Sequence, residues 1–252
     1  MKTFIAVMVV LCCTSLSVAQ DTTQTGFRSM GPVATPLPVL SITPNAREIT
    51  GLFLDIGKNL NLVEAEEVVA QKGDTAVPAL SDMIFSDTLW NSLASVDTGE
   101  GKATFFEGKL YAIYTLMKIG TPQAFQVLLN AADSCRFAPA RAAALNAITN
   151  TYHNRATKGT LTPDSRVIGI LIKSSTDHTY IWFLHKTIGE VAYEGLMQWL
   201  GTDFGEPQFT KARIAAGGSN GELSPSAYRD YWWHENASLL VWNRSTGHFE
   251  TK

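Results

Sequence analysis

Cysteine is scarce in this 252-residue sequence, and its scarcity limits how the fold can be held together. Cys12 and Cys13 lie in an apolar N-terminal run, so Cys135 is the third and last of the three cysteines. A single thiol outside that run cannot form an intrachain disulfide, which excludes a disulfide framework there. The only basic neighbour of Cys135 in sequence is Arg136. We therefore expect a buried, idle thiol rather than a reactive one.

Positive charge is also in short supply. The chain has 20 Lys and Arg against 23 Asp and Glu, a net charge of −3. If Lys2 leaves with an N-terminal leader, 19 basic residues face 23 acidic ones, which is a net charge of −4. Binding to nucleic acid needs a basic face that neutralises phosphates. Nucleic acid is therefore not expected as a partner, and no basic patch for a membrane surface is expected either.

Long apolar runs are missing after the N terminus. Lys2 is followed by an apolar run over residues 4–12, and residues 17–19 are small, as a signal peptidase requires. We predict that residues 1–19 are a signal peptide cleaved after Ala19, which would make the protein secreted or periplasmic. The alternative is an N-terminal membrane helix, but the run is short for a bilayer. No membrane span is expected after cleavage.

Alternation of apolar and polar residues, which is typical of strands, is nearly absent, and helical spacing takes its place. Residues 20–45 are rich in Pro, Thr and Ser and are predicted to be a flexible linker. Residues 46–203 are predicted to form helices, with an insertion at 86–102. Residues 204–252 are expected to hold a glycine-rich loop and a C-terminal capping helix. The expected fold class is all-α.

The clearest helical signal is a set of three amphipathic stripes within residues 110–152. Between the first two stripes, Gly120 can adopt the left-handed conformation that ends a helix. Thr121 can cap the next helix, and Pro122 fits its first turn. These signals predict antiparallel helices joined by short turns. Further helices are predicted over residues 177–188, opened by Asp177, and over residues 225–242 at the C-terminal end.

Similar motifs recur in units of about 30 residues with two helices each, which is typical of helical solenoids. The best unit is carried by Ile119-Gly120, Pro122, Ala124, Leu128, Asp133, Arg141, Ala144 and Leu145. This unit resembles HEAT repeats of the short type named after the phycobilisome lyases, and the resemblance extends over residues 73–200. It implies an α-α superhelix of helical hairpins. The C-terminal part is similar to the Trp-rich tail of exported bacterial HEAT-like proteins, but residues 207–223 are extra here.

No catalytic constellation is found in the sequence. His178 and His185 are seven positions apart, whereas a helical zinc pair needs ligands at i and i+4. His234-Glu235 is a single dyad, unlike the repeated His-Glu pairs of HEAT-like iron hydroxylases. Catalytic residues, cofactors and metal ligands are accordingly predicted to be none.

Helical solenoids offer curved surfaces that bind proteins or extended peptides. The favoured hypothesis is therefore a non-enzymatic scaffold with an unidentified protein or peptide partner. The alternatives are an enzyme-like HEAT protein, such as a lyase or an accessory subunit of a modifying enzyme, and a structural spacer. Trp90 in the insertion and Trp233 in the last helix are the candidate contact residues. Trp232 and Trp233 cannot both face inward fully, although both can pack at the edges of the cap.

Overall fold

The computed structural model describes residues 45–59, 62–87, 89, 101–201 and 225–252, and in them the chain is mostly helical. The predicted signal peptide (1–19) lies outside these residues. The linker up to residue 44, most of the insertion and the glycine-rich loop also lie outside them. Among the described helices, none combines the length and the apolar character that crossing a membrane would require.

Eight helices make up the first part of the described chain, and the third and fourth are separated by the insertion. They are α1 (Ala46–Asn59), α2 (Leu62–Gln71), α3 (Val77–Phe85), α4 (Gly101–Ile119), α5 (Pro122–Ser134), α6 (Ala138–Ala147), α7 (His153–Thr157) and α8 (Arg166–Ser174). A π-helical turn, Ile148–Tyr152, joins α6 to α7. The remaining elements are β1 (Tyr180–Ile181), β2 (Lys186–Thr187), α9 (Ile188–Leu200), α10 (Pro225–Asn236), β3 (Leu240–Asn243) and β4 (His248–Thr251).

Helix contacts follow a regular order along the chain. Within pairs, α1 contacts α2, α3 contacts α4, α5 contacts α6, and α8 contacts α9. Between pairs, the first helix of each pair contacts the first helix of the next pair, in the order α1, α3, α5, α8. The second helices do the same in the order α2, α4, α6, α9. Buried side chains from these helices form one hydrophobic core cluster. The C-terminal elements extend both series, because α10 contacts α8 and β4 contacts α9.

The junction between α4 and α5 confirms the predicted stop and start signals. Gly120 has φ +64°, the left-handed conformation that glycine adopts without steric cost. The Thr121 hydroxyl accepts a hydrogen bond from the Ala124 amide at 3.3 Å, and Pro122 occupies the first turn of α5. These residues satisfy or remove amide donors that the start of a helix leaves unpaired. The predicted burial of Cys135 is also confirmed, since its side chain is 3% exposed.

The helix predicted over residues 177–188 is wrong. β1 and β2 form an antiparallel hairpin that pairs Tyr180 with Thr187. Helix α9 begins only after Thr187, whose hydroxyl accepts from the Glu190 amide at 3.1 Å while the Thr187 amide donates to the Glu190 carboxylate at 2.6 Å. This capping box fixes the N terminus of α9 at Ile188 and separates it from the preceding residues. His178 and His185 therefore do not share a helix face, and His185 lies in the turn with φ +53°.

The last predicted helix is partly wrong as well. Helix α10 ends at Asn236, and the residues that follow form the antiparallel hairpin of β3 and β4, in which Trp242 is paired with Phe249. The Asn236 side chain donates to the Trp232 carbonyl at 2.8 Å near the helix end. Gly247, with φ +74°, belongs to the connection between the strands. The C-terminal tail is thus a folded element, where the sequence predicted an extension of the helix.

Candidate functional site

A groove with a volume of about 390 Å³ lies between α5, α8 and α10. Leu129 of α5, Ile170 of α8 and Trp233 of α10 supply apolar surface to it. Leu129 is buried, whereas Ile170 and Trp233 are half-buried and remain accessible from solvent. A groove with an apolar floor and a few polar groups at its rim is the usual form of a binding site.

Trp233 reaches the floor of the groove because α8 has a glycine beneath it. A β-carbon on Gly169 would lie 2.7 Å from Cζ2 and 2.9 Å from Cε2 of the Trp233 indole, closer than side chains can approach. Only glycine therefore leaves room for the indole in this position. Trp232, the preceding residue, turns the other way and is 7% exposed. Of the adjacent pair, Trp232 packs into the core and Trp233 lines the groove.

Two basic side chains of α8 stand at the rim of the groove, and both already have partners. Lys173 Nζ lies 2.7 Å from the Asp133 carboxylate of α5. Arg166 Nε lies 2.8 Å from the Asp164 carboxylate, and the Arg166 guanidinium also donates to the Gln126 side chain of α5. These contacts link α8 to α5 along the groove. The positive charges of α8 are therefore neutralised by the protein itself.

The fourth charged side chain of the groove lining after Asp133, Arg166 and Lys173 is Asp230 of α10, and it differs from these. It is exposed and lies three positions before Trp233, which places the two side chains on one face of the helix. Within the part of the chain that the structure describes, the Asp230 carboxylate forms no hydrogen bond or ion pair. The Trp233 indole N–H likewise has no hydrogen-bond acceptor among those residues. Among the residues that the structure describes, the groove thus presents one acceptor and one donor without a hydrogen bond beside its apolar floor, and Arg229, the residue before Asp230, interacts with that carboxylate electrostatically.

A second cluster joins the C-terminal hairpin to the helices and is centred on His153. Its ring contacts Trp199 of α9 and Trp242 of β3 edge-on, at centroid distances of 5.0 and 6.1 Å. His153 Nε2 lies 3.0 Å from the Gly247 carbonyl, and His248 Nδ1 lies 3.0 Å from the Gln198 carbonyl.

These contacts shape the electrostatics of the cluster. Burial, followed by the charge of His248, lowers the pKa of His153 from its usual value, against the opposing effect of the hydrogen bond to the Gly247 carbonyl. The Nε1 atoms of Trp199 and Trp242 are buried without a hydrogen-bond partner in the described structure. Because aromatic packing fills its interior, this cluster holds the hairpin in place rather than offering a binding site.

The structure places the two predicted contact residues differently. Trp233 lines the groove, whereas Trp90 lies outside the described residues. Sequence reasoning missed Asp230 and Gly169, which become neighbours of Trp233 or of its groove. The spacing of Asp230 and Trp233 on one helix face was the one local signal available. In the described segments, no group of three or more His, Cys, Asp or Glu side chains is arranged to hold a metal ion.

Comparisons of this chain with protein-family models, with curated proteins and with solved structures give no match. The groove is the better candidate site of the two, because it is open to solvent and its Asp230 and Trp233 side chains form no hydrogen bond with the residues that the structure describes. The His153 cluster is filled by its own side chains.

Proposed function

We propose that this protein is an exported, non-enzymatic helical-repeat scaffold that binds a protein or peptide segment in the groove beside Trp233. The observation that carries the proposal is the groove itself, with an apolar floor and the side chains of Asp230 and Trp233 on one helix face, neither of them hydrogen-bonded within the described part of the chain. An indole that is partly buried in a groove is the kind of residue that dominates binding energy at interfaces. Export is proposed from the apolar run over residues 4–12 and the small residues at 17–19.

The order of helix contacts supports a stack of HEAT-like hairpins. Each pair contacts the next through its first helix and through its second helix, as expected when hairpins are stacked side by side. We propose that α10 and the β3–β4 hairpin form the terminal cap, since they contact the two helices of the last pair. A cap is needed because the final hairpin would otherwise leave an apolar face uncovered.

A binding role also fits the charges in the groove better than catalysis does. Lys173 and Arg166 are held in ion pairs with Asp133 and Asp164, at distances of 2.7 and 2.8 Å. General acid–base chemistry requires a group whose pKa is tuned toward the working pH and which reaches the reacting proton. At the rim of this groove the two basic side chains are ion-paired, and the Asp230 carboxylate beside the apolar floor is exposed to solvent, which suits recognition of a chain segment.

The test is a selection of peptides on the purified protein. A random-sequence peptide library displayed on phage is panned against it, and the affinity of each enriched peptide is measured by fluorescence anisotropy. We expect Trp233→Ala to weaken binding by about 10- to 30-fold, the loss typical of an interface anchor. Gly169→Ala should act in the same direction, because its β-carbon would displace the indole from the groove.

The matched control is Trp182→Ala, which removes an indole that is 56% exposed on the β1–β2 hairpin. If binding depends on the groove, this variant should retain the affinity of the wild-type protein. Circular dichroism of all three variants verifies that their helix content is unchanged. Equal affinities for the wild-type protein and the Trp233→Ala variant would contradict the proposal.

A further inference from the structure

The charged side chains that line the groove differ in whether they form an ion pair. Lys173 is paired with Asp133, and Arg166 is paired with Asp164. Asp230 of α10 is the remaining charged side chain of the groove lining, and in the described structure it has no ion pair. The preceding residue, Arg229, interacts electrostatically with Asp230 but is not among the described residues that line the groove. Of the charged side chains in that lining, Asp230 is therefore the one without an ion pair in the described structure, and it lies on the same helix face as the Trp233 indole.

Resting on the function proposed above, we propose that the partner segment enters the groove through a basic side chain, Lys or Arg, held between the Asp230 carboxylate and the Trp233 indole. Side chains three positions apart on a helix have β-carbons about 5–6 Å apart. One ammonium or guanidinium group can therefore reach the carboxylate and the face of the ring at the same time. Attraction to an aromatic ring acts over about 6 Å from the ring centre.

The same arrangement disfavours an acidic segment. A carboxylate in the groove would meet the Asp230 carboxylate, and to gain from Lys173 or Arg166 it would have to displace Asp133 or Asp164 from an existing ion pair. The aliphatic stem of a lysine or arginine also matches the apolar floor, since these side chains pack their methylene groups against apolar surface. The groove thus suits a residue with an apolar stem and a positively charged end.

The experiment extends the peptide selection to a variant that changes only this charge. The library is panned in parallel on the wild-type protein and on Asp230→Asn, and each enriched peptide is also synthesised with its Lys or Arg replaced by norleucine. We expect wild-type selections to be rich in Lys or Arg and to lose about fivefold in affinity on Asp230→Asn, the upper range for one exposed ion pair. The norleucine peptides should bind both proteins equally.

The matched control is Glu64→Gln, which removes one exposed negative charge from α2, a helix that packs on α1 and α4. This variant has the same net charge as Asp230→Asn, so a general electrostatic effect would appear in both. We expect it to keep the affinity of the wild-type protein. Because Asp230 is exposed and has no ion pair in the described structure, its replacement by Asn should preserve the fold, which circular dichroism verifies.

Two outcomes overturn the inference, and they differ in what else they overturn. If the selected peptides show no excess of basic residues and bind Asp230→Asn as well as the wild-type protein, the basic side chain is rejected. The proposal that a segment binds in the groove is retained in that case, provided that Trp233→Ala weakens binding. If no peptide is enriched, or if Trp233→Ala has no effect, the proposed function is rejected as well.

Discussion

The close approach of α9 to the π-helical turn provides a sharp test of the packing described above. Gly195 lies within α9, and a β-carbon on it would lie 2.5 Å from Thr149 Oγ1 and 2.6 Å from Leu171 Cδ2. Thr149 and Leu171 are 2% and 0% exposed, so neither side chain has free space into which to move. We predict that Gly195→Ala destabilises the protein, even though alanine is the better helix former.

Two opposing effects set the size of this change. Replacing glycine with alanine inside a helix stabilises it by about 0.5–1 kcal/mol. Inserting an extra methyl group into a packed core costs about 1–3 kcal/mol, because neighbouring side chains are forced out of their preferred rotamers. Since Gly195 faces close contacts on two sides, we expect the cost of overpacking to exceed the gain. The predicted net loss is about 1–2 kcal/mol in the free energy of unfolding.

Gly51→Ala is the matched control, because a β-carbon on Gly51 of α1 would meet no atom within 4 Å. This variant should show the helix-propensity gain alone, about 0.5–1 kcal/mol. Both variants are unfolded with urea, and the midpoints are measured from the loss of the helical signal in far-ultraviolet circular dichroism. A midpoint for Gly195→Ala that rises as much as that of Gly51→Ala would show that the β-carbon is accommodated without overpacking.

Two further predictions concern the C-terminal hairpin. Because burial and then His248 lower the pKa of His153, the unfolded chain binds a proton there more readily than the native protein does. The contribution of His153 to the free energy of unfolding should be complete above about pH 6.5 and decline as the pH falls below it. Unfolding followed by tryptophan fluorescence should show this decline, and His153→Gln should remove it. A β-carbon on Gly201, at φ +64°, would overlap the His248 ring. Gly201→Ala should therefore cost at least about 1–2 kcal/mol and increase hydrogen exchange in the hairpin before the helices.

Local signals explain why most helices could be predicted from the sequence. Gly120, Thr121 and Pro122 act on the backbone of their own turn, so their effect does not depend on distant residues. The failure at residues 177–188 has a local cause too. Apolar residues at helical spacing there also fit a short hairpin followed by a helix start, and the capping box of Thr187 and Glu190 decides between them.

The candidate site was less accessible to sequence reasoning, because tertiary packing creates it. Trp233 could be singled out as one of two adjacent tryptophans on an amphipathic helix. Its position over Gly169 depends on the contact between α10 and α8. A glycine within a helical pattern does not indicate which residue of another helix will pack against it. The same holds for His153 and His248, whose rings are 6.3 Å apart although they belong to distant parts of the sequence.

The groove and the C-terminal hairpin are also mechanically related. Helix α10 forms one wall of the groove by packing on α8, while β4 packs on α9, the partner of α8 in the same pair. Only the 3-10 turn Ala237–Leu239 separates α10 from β3, so the two elements are held to the helices as one short segment. We therefore expect the contacts of His153 and His248 to help keep Trp233 over Gly169, although neither histidine lines the groove. Residues that fix the hairpin are therefore expected to act as positioning residues for the groove, because α10, which carries Trp233, is joined to β3 by a single short turn.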